Sequence, residues 1–338
     1  MSVALDVIRK DSALDALRPE WEALWRRVPS ATPFHSPAWL LSWWRQFGTG
    51  RPRVAILRSE GRLAALLPLY ILDEGNERKL LPLGVGITDY FDALLEPGLP
   101  PGAADALLAM ALDASSEDGI TCCDLTDIPP GAAMLSVRPP GGWHLARENL
   151  DPCPVLAVPN DKAQMRAMVP PRMLRKLRMN RHRAERIGGW TIDTAISETL
   201  PSLLDDMFRL HESRWAAIRQ AGVLADARIR AFHKLAAPAL LSIGALRLQV
   251  LRVGNRAAAA CYALLASTDR LLFYLSGFDP DFAFQSPGTI LLGAMIEHAL
   301  LEGRRELHFL RGGEAYKYAW GGVDRINVGL RLTRRTPG

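Results

Sequence analysis

Residues 54–71, VAILRSEGRLAALLPLYI, and residues 248–265, LQVLRVGNRAAAACYALL, repeat one pattern in opposite halves of the chain. Each reads as a strand ending in Leu-Arg, a tight turn containing glycine, an arginine, and an apolar second strand. Gly61 and Gly254 fall one residue apart in that alignment, a slip that hairpin turns tolerate. Two meander hairpins can look alike by chance. A chain of 338 residues, 49% of them hydrophobic, nevertheless has room for two cores of roughly 150 residues each. The echo therefore predicts one plan used twice, with halves at 1–160 and 161–338.

The remaining pattern fills in that plan. In the first half, helices are expected over 12–28 and 36–47, the second with Ser36 as N-cap and Pro37 in its first turn. Strand-like runs cover 53–61, 62–72 and 88–96; an Ala/Leu-rich helix covers 101–116, and a strand 120–128. Pro/Gly-rich stretches at 129–142 and 151–159 read as loops. In the second half a helix over 171–187 ends at Gly188 and Gly189. A short strand at 190–196, helices at 199–220 and 226–240, strands at 245–253, 256–266 and 270–277, a helix at 288–302 and strands at 306–310 and 326–335 complete it.

Several classes are set aside by composition and spacing. No stretch approaches the roughly 20 apolar residues of a spanning helix, and the first residues carry no signal-peptide run, so a cytoplasmic location and no membrane span are expected. Cys122, Cys123, Cys153 and Cys261 lack metal-ligand spacing and read as reduced core thiols; no metal is expected. Between Arg172 and Arg186 seven Lys or Arg face one acid, Glu185, a surplus that accounts for the whole net charge of +5. Such a helix could neutralise phosphates of tRNA, or simply be a solvated face over an apolar stripe of Leu174, Leu177 and Ala184. No aromatic interleaving or DNA-binding motif accompanies it, so DNA is not an expected partner.

Residues 271–321, LLFYLSGFDPDFAFQSPGTILLGAMIEHALLEGRRELHFLRGGEAYKYAWG, read as strand, loop, helix start, helix, strand and a Gly/Tyr/Lys loop. Free N–H groups and the dipole at a helix start can hold a pyrophosphate; Ser286, Gly288 and Thr289 stand there, preceded by Gln285. With FHSPAWLLSWWRQFG at 34–48, DYFDALL at 89–95, LRKLRMNRHRAERIGG at 174–189, HESRW at 211–215 and FLRGGEAYK at 309–317, this segment resembles GNAT-superfamily acyltransferases of the CelD-like type, related to FemAB peptidoglycan aminoacyltransferases.

That resemblance implies a mixed α/β fold of tandem GNAT-like halves facing a shared cleft. The C-terminal half would carry the donor site, and the N-terminal half none. In this fold two central parallel strands splay apart and the acyl-thioester arm lies in the gap; here these would be LLFYLSG and ELHFLRG. Gln285, Ser286, Gly288 and Thr289 would bind the coenzyme, although the final small residue of the usual phosphate loop is missing. Tyr316 and Lys317 match a Tyr-Lys pair facing the acceptor, with Lys317 as an oxyanion stabiliser. Glu314 and His308 are candidate bases, and Tyr274 and Tyr316 candidate proton donors. Asp89, Asp92, Glu212 and Arg214 are candidate cleft groups. The implied reaction is acyl transfer from a thioester, with acetyl-coenzyme A as the expected donor, to an amine or hydroxyl of a small-molecule or envelope-precursor acceptor, in polysaccharide synthesis. An acyl carrier protein or tRNA are the alternative donors, the latter in a FemAB-like aminoacyl transfer. A catalytically silent scaffold is the non-enzymatic alternative.

Overall fold

The computed structural model describes residues 3–74, 77–158, 161, 169–267 and 269–334. The chain divides into two compact units: unit 1 holds the residues up to Asp151 together with those from Arg325 onward, and unit 2 holds Pro152–Asp324. The boundary thus falls nearer the N-terminus than the expected 160/161, where Asn160 lies outside the described residues, and the last strand belongs to unit 1.

Unit 1 is built from β1 (Val3–Ile8), α1 (Asp11–Ala16), α2 (Arg18–Arg27), α3 (Pro37–Phe47), β2 (Arg51–Ser59), β3 (Arg62–Glu74), β4 (Glu77–Pro82), β5 (Leu94–Leu95), α4 (Ala103–Ala114), β6 (Cys122–Ile128), the start of β7 (Trp143–Ala157) and the end of the chain's last strand, β13 (Val323–Arg334). Strands β1 to β4 pair as antiparallel neighbours. β4 then runs parallel to β6 through Lys79↔Cys122 and Leu80↔Cys123, and β6 is antiparallel to β13. Ser36 caps α3 as expected, its side chain accepting from the Trp39 N–H. The core closes under α4, with Leu107, Leu108, Ala111 and Leu112 against Leu67, Leu69, Leu125 and Leu332.

Unit 2 repeats that order with β8 (Trp190–Thr194), β9 (Leu246–Val253), β10 (Arg256–Ala266) and β11 (Arg270–Phe278) in antiparallel sequence. β11 runs parallel to β12 (Glu306–His308), and β12 is antiparallel to the end of β7. Its helices are α5 (Pro171–Glu185), α6 (Leu200–Ala216), α7 (Ala227–Ser242), α8 (Pro287–Leu301) and α9 (Ala315–Ala319). α8, like α4, is the crossover between the parallel strands. It is apolar on nearly every side because it is buried among β10, β11 and α5. The final strand of each unit is exchanged relative to a simple tandem: unit 1 receives the chain's last strand, and unit 2 receives β7, which precedes all its other elements.

The echoed hairpins do the same work in both units. Arg58 of β2 pairs with Glu20 of α2, and its counterpart Arg252 of β9 pairs with Asp193 at 2.6 Å and with Asp206 of α6 at 3.3 Å. Arg62 reaches Glu96 at 2.8 Å, and Arg256 reaches Asp279 and Asp281 at 3.0 and 2.9 Å. The turns need positive φ at Glu60 and Gly61 in one hairpin and at Gly254 in the other.

Three local expectations are corrected. The helix over 12–28 breaks at Leu17 into α1 and α2, with Pro19 in the first turn of α2. Of 88–96 only Leu94–Leu95 is strand, because the Asp92 carboxylate takes the Ala93, Ala133 and Met134 N–H groups. Residues 151–157 are strand rather than loop: Pro152 and Pro154 contribute carbonyls, which accept from Gly312 and Phe309 at 2.9 and 2.8 Å, and lack only the N–H that those bonds do not use. β1 and β4 were not anticipated. The free cysteines are buried except Cys122, which is half-buried.

Candidate functional site

The site of unit 2 begins where its two parallel strands part. β11 and β12 stay paired only from Arg270↔Glu306 to Leu272↔His308. Immediately beyond, the β10–β11 register slips, Ala263 facing Phe273 and Tyr262 facing Leu275, so that Tyr274 is the extra residue of a bulge that bends β11. On the other side the Phe309 N–H turns away to the Pro154 carbonyl, and Leu310 takes a positive φ of 58°. Among the described residues, the backbone of β11 from Phe273 onward is thereby left without a paired strand on its β12 side.

A cavity of about 510 Å³ lies against this stretch. Its wall is formed by Phe273, Ser276, Gly277 and Phe278 of β11, Ala260 of β10, Ser286 to Thr289, Leu291 and Leu292 at the start of α8, Met173 and Lys176 of α5, Arg214 of α6, and Ala315, Tyr316, Ala319 and Trp320 in and after α9. One end is polar. Ser286, with φ of 47°, precedes α8 without capping it by its side chain, so the positive end of the helix dipole faces the cavity. A side chain at Gly288 would meet nothing within 4 Å, which marks the open space there. Two cations stand on the same wall: the exposed Lys176, and Arg214, whose Nη1 donates to the Ser276 hydroxyl at 3.0 Å. The remainder is apolar. An anion at the helix start joined to a slender, largely apolar arm matches this arrangement chemically.

Of the residues singled out in the sequence, Ser286, Gly288, Thr289, Tyr316 and Arg214 come together on this wall. Gln285 is half-buried beside it, its N–H donating to the Phe282 carbonyl, and does not line it. Tyr316 packs its ring edge against Phe309 at 6.1 Å and lies 6.4 Å from Phe273. Burial, reinforced by the nearby Glu314 carboxylate, pushes the Tyr316 phenol up, so it is an O–H donor at neutral pH.

The other candidates are placed elsewhere. Tyr274, displaced by the bulge, points away from the cavity into a group formed by Tyr262 and His233 at 6.0 and 5.9 Å between ring centres. His308 is buried in β12, 2.8 Å from the Glu306 carboxylate, and does not reach the wall. Lys317 is 98% buried, with its ammonium donating to the carbonyls of Leu310, Arg311 and Gly312 at 3.1, 2.7 and 2.9 Å and lying 2.8 Å from the Glu314 carboxylate. All three of its protons are committed to the turn that leaves β12. Glu314 stands at the N-cap position of α9 with its side chain exposed, and Glu212 is exposed on α6 off the wall. Asp89 and Asp92 are buried in unit 1. Burial raises the Asp92 carboxyl to about 6 against the pull of its three N–H donors, and Asn327 Nδ2 donates to the Asp89 carbonyl at 3.0 Å.

Sequence reasoning placed the strand LLFYLSG, residues 271–277, at the gap without singling out Phe273 and Ser276 within it, and it missed Met173, Lys176, Phe278 and Trp320. Lys176 was visible only as one charge among seven. The β11 residues escaped because the bulge at Tyr274 changes which alternate positions share a face, so Phe273 lines up with Ser276 and Phe278 rather than with Leu275. Among the described residues no group of three or more His, Cys, Asp or Glu is arranged to hold a metal ion, and no helix is long and apolar enough to cross a membrane.

Comparison with known proteins bears on the domain and its fold. Residues 171–318 match the family model of the acetyltransferase (GNAT) domain. The chain is similar in structure to FemX, with a TM-score of 0.67 and 9% identity over 99% of this chain and 96% of that one. It is similar to the L-PGS of Bacillus licheniformis, with a TM-score of 0.59 and 12% identity over 97% and 93%. It is also similar to a tandem GNAT protein from the clavulanic acid biosynthesis pathway, with a TM-score of 0.50 and 15% identity over 99% and 100%. At such identities the likeness shows the fold, which is a mixed α/β fold of the tandem GNAT kind. No curated protein sequence matches the chain.

Proposed function

We propose, from the premise that residues 171–318 form a GNAT-type domain, that the protein is an acyltransferase whose donor, an acyl thioester such as acetyl-coenzyme A, binds in unit 2. The observation that carries this reading is the cavity that runs from the uncapped start of α8 along the unpaired edge of β11. A pyrophosphate would meet the Gly288 N–H in the first turn of α8 and the Lys176 ammonium; the arm would lie along β11 from Phe278 towards Phe273. A neutral amine or hydroxyl of a sugar, amino acid or envelope precursor attacks the thioester carbonyl. The C–S bond breaks as the new C–N or C–O bond forms, the proton shed by the acceptor passes to water and from there restores the enzyme's proton donor, and the departing thiolate takes a proton. Tyr316, protonated and on the wall, is the residue we assign to that proton. Unit 1 carries no donor in this reading, and a cytoplasmic setting in polysaccharide or envelope synthesis goes with it.

Lys317 is assigned a positioning role in place of direct oxyanion stabilisation, since its three protons already meet three carbonyls. The reading is tested by calorimetric titration of the protein and of Gly288→Trp with acetyl-coenzyme A. Gly288 is exposed with open space around it, so the variant should fold. Binding that the variant loses supports the reading; equal binding by both, or none by the wild type, contradicts it. A second reading, transfer from an aminoacyl-tRNA, is favoured by Lys176 on the wall of a strongly basic helix and by the likeness to FemX. Salt-sensitive binding of tRNA, with no response to acetyl-coenzyme A, would select it.

A further inference from the structure

The basic helix α5 divides its cations between two tasks. Arg181 pairs with Glu297 of α8 at 2.7 Å, and Arg183 donates to the Phe284 carbonyl at 3.0 Å with its guanidinium 4.0 Å from the centre of the Phe284 ring. These two fasten α5 beside the start of α8. Arg172, Arg175 and Lys176 do no such work: all are exposed, and among the described residues they form no ion pair. With Met179 they fall at helical spacing on one stripe, from which the helix's single acid, Glu185, is rotated away. The stripe is continuous with the cavity, because Lys176 belongs to both. It also carries apolar area, Met179 being 46% exposed and the neighbouring Phe284 66% exposed.

We propose that this stripe is the docking surface for an acidic acyl carrier protein, which delivers the acyl group into the cavity on its phosphopantetheine arm. The inference rests on the acyltransferase reading above and names the donor's macromolecular form. Three observations carry it. The charge of Arg172, Arg175 and Lys176 is local and, among the described residues, without an ion-pair partner, so it complements an acidic partner and would steer its approach. The exposed Met179 at the end of the stripe, and Phe284 against the Arg183 guanidinium, add apolar area to the charges, which a folded protein partner buries and a phosphate backbone does not. The cavity wall offers a helix start for one phosphate group and a mostly apolar slot for a thioester arm, so an arm tethered to a protein satisfies it without the adenosine part of coenzyme A.

The test uses the full chain, its Arg172→Glu/Arg175→Glu double variant and Gly288→Trp, with four probes in biolayer interferometry: an acidic acyl carrier protein bearing an acetylated phosphopantetheine arm, the same protein without the arm, acetyl-coenzyme A, and bulk tRNA. Neither arginine lines the cavity, both are exposed, and a glutamate at 172 in the first turn of α5 favours the helix dipole, so the double variant should stay folded. The proposal predicts that the acetylated carrier binds in a salt-sensitive manner and that the double variant weakens it by about tenfold or more while leaving acetyl-coenzyme A binding unchanged. Carrier binding indifferent to the double variant, no carrier binding where acetyl-coenzyme A binds, or tRNA binding that the double variant abolishes while the carrier stays unbound, would each overturn it. Acetyl-coenzyme A binding that Gly288→Trp removes keeps the acyltransferase reading intact in every one of those cases, so the two failures are told apart.

Discussion

At the scale of single residues, Lys317, Tyr316 and two buried histidines make separable claims. Lys317→Met keeps the aliphatic stem but leaves three carbonyls without their shared donor, and should cost about 2–4 kcal/mol in chemical unfolding. An unchanged midpoint would mean that the ammonium is not structural. Tyr316→Phe removes the phenolic proton and little packing, so kcat should fall by about 10²-fold or more at nearly unchanged KM in a steady-state assay. A rise in KM alone would make Tyr316 a binding group. His233 and His211 are depressed to about 3 and about 4, mainly by burial. A base held below its unfolded value near 6.5 takes up its proton more readily when the chain unfolds, so acid destabilises the fold, by about 2 kcal/mol per histidine at pH 5. His233→Phe should flatten the fall in Tm between pH 7 and pH 5. Asp92, raised to about 6, has the opposite sign: its share of stability rises as pH falls through 6 towards 4. A Tm that does not fall on acidification would contradict the assignment of neutral, buried imidazoles.

At the scale of elements, close crossings fix the geometry of the site. A Cβ on Gly277 would lie 2.2 Å from the backbone N of His211, so α6 can cross β11 at that height only over a glycine. Gly277→Ala should therefore destabilise by about 3 kcal/mol or more, or prevent folding, as judged by circular dichroism and denaturant unfolding. Gly293→Ala meets only the flexible end of Leu177, 2.7 Å away across the α5–α8 contact, and should cost far less. Equal costs would mean that the α6 crossing adapts. The same elements show what the sequence discloses. The hairpins β2–β3 and β9–β10, the crossover helix α8 and the basic helix α5 were legible because strand alternation, glycine turns, the Pro287 start and the Gly188–Gly189 stop are local signals. β7 was hidden by prolines whose missing N–H groups cost nothing in that register, and 88–96 was misread because Asp92 competes for backbone N–H groups from residues 41 and 42 positions away. The cavity wall was half legible: Ser286, Gly288, Thr289 and Arg214 stood in recognisable motifs, whereas the bulge that selects Phe273, Ser276 and Phe278 leaves no mark on composition.

At the scale of the whole molecule, the chain uses one strand plan twice and exchanges the final strand of each copy. β13 supplies Leu330 and Leu332 to the core of unit 1 although it follows all of unit 2 in sequence. Truncation after Asp324 should accordingly expose amides of β6 to hydrogen exchange while those of β10 and β11 keep their protection; loss confined to unit 2 would contradict the exchange. The central claim is that the gap beside β11, and not its counterpart in unit 1, receives the acyl donor. A crystal structure of the protein grown with acetyl-coenzyme A tests it most directly. The account predicts the pyrophosphate at the Ser286–Thr289 start of α8 and the thioester between β11 and Tyr316. Coenzyme bound instead in unit 1, or on unit 2 with its thioester outside the gap, would contradict it.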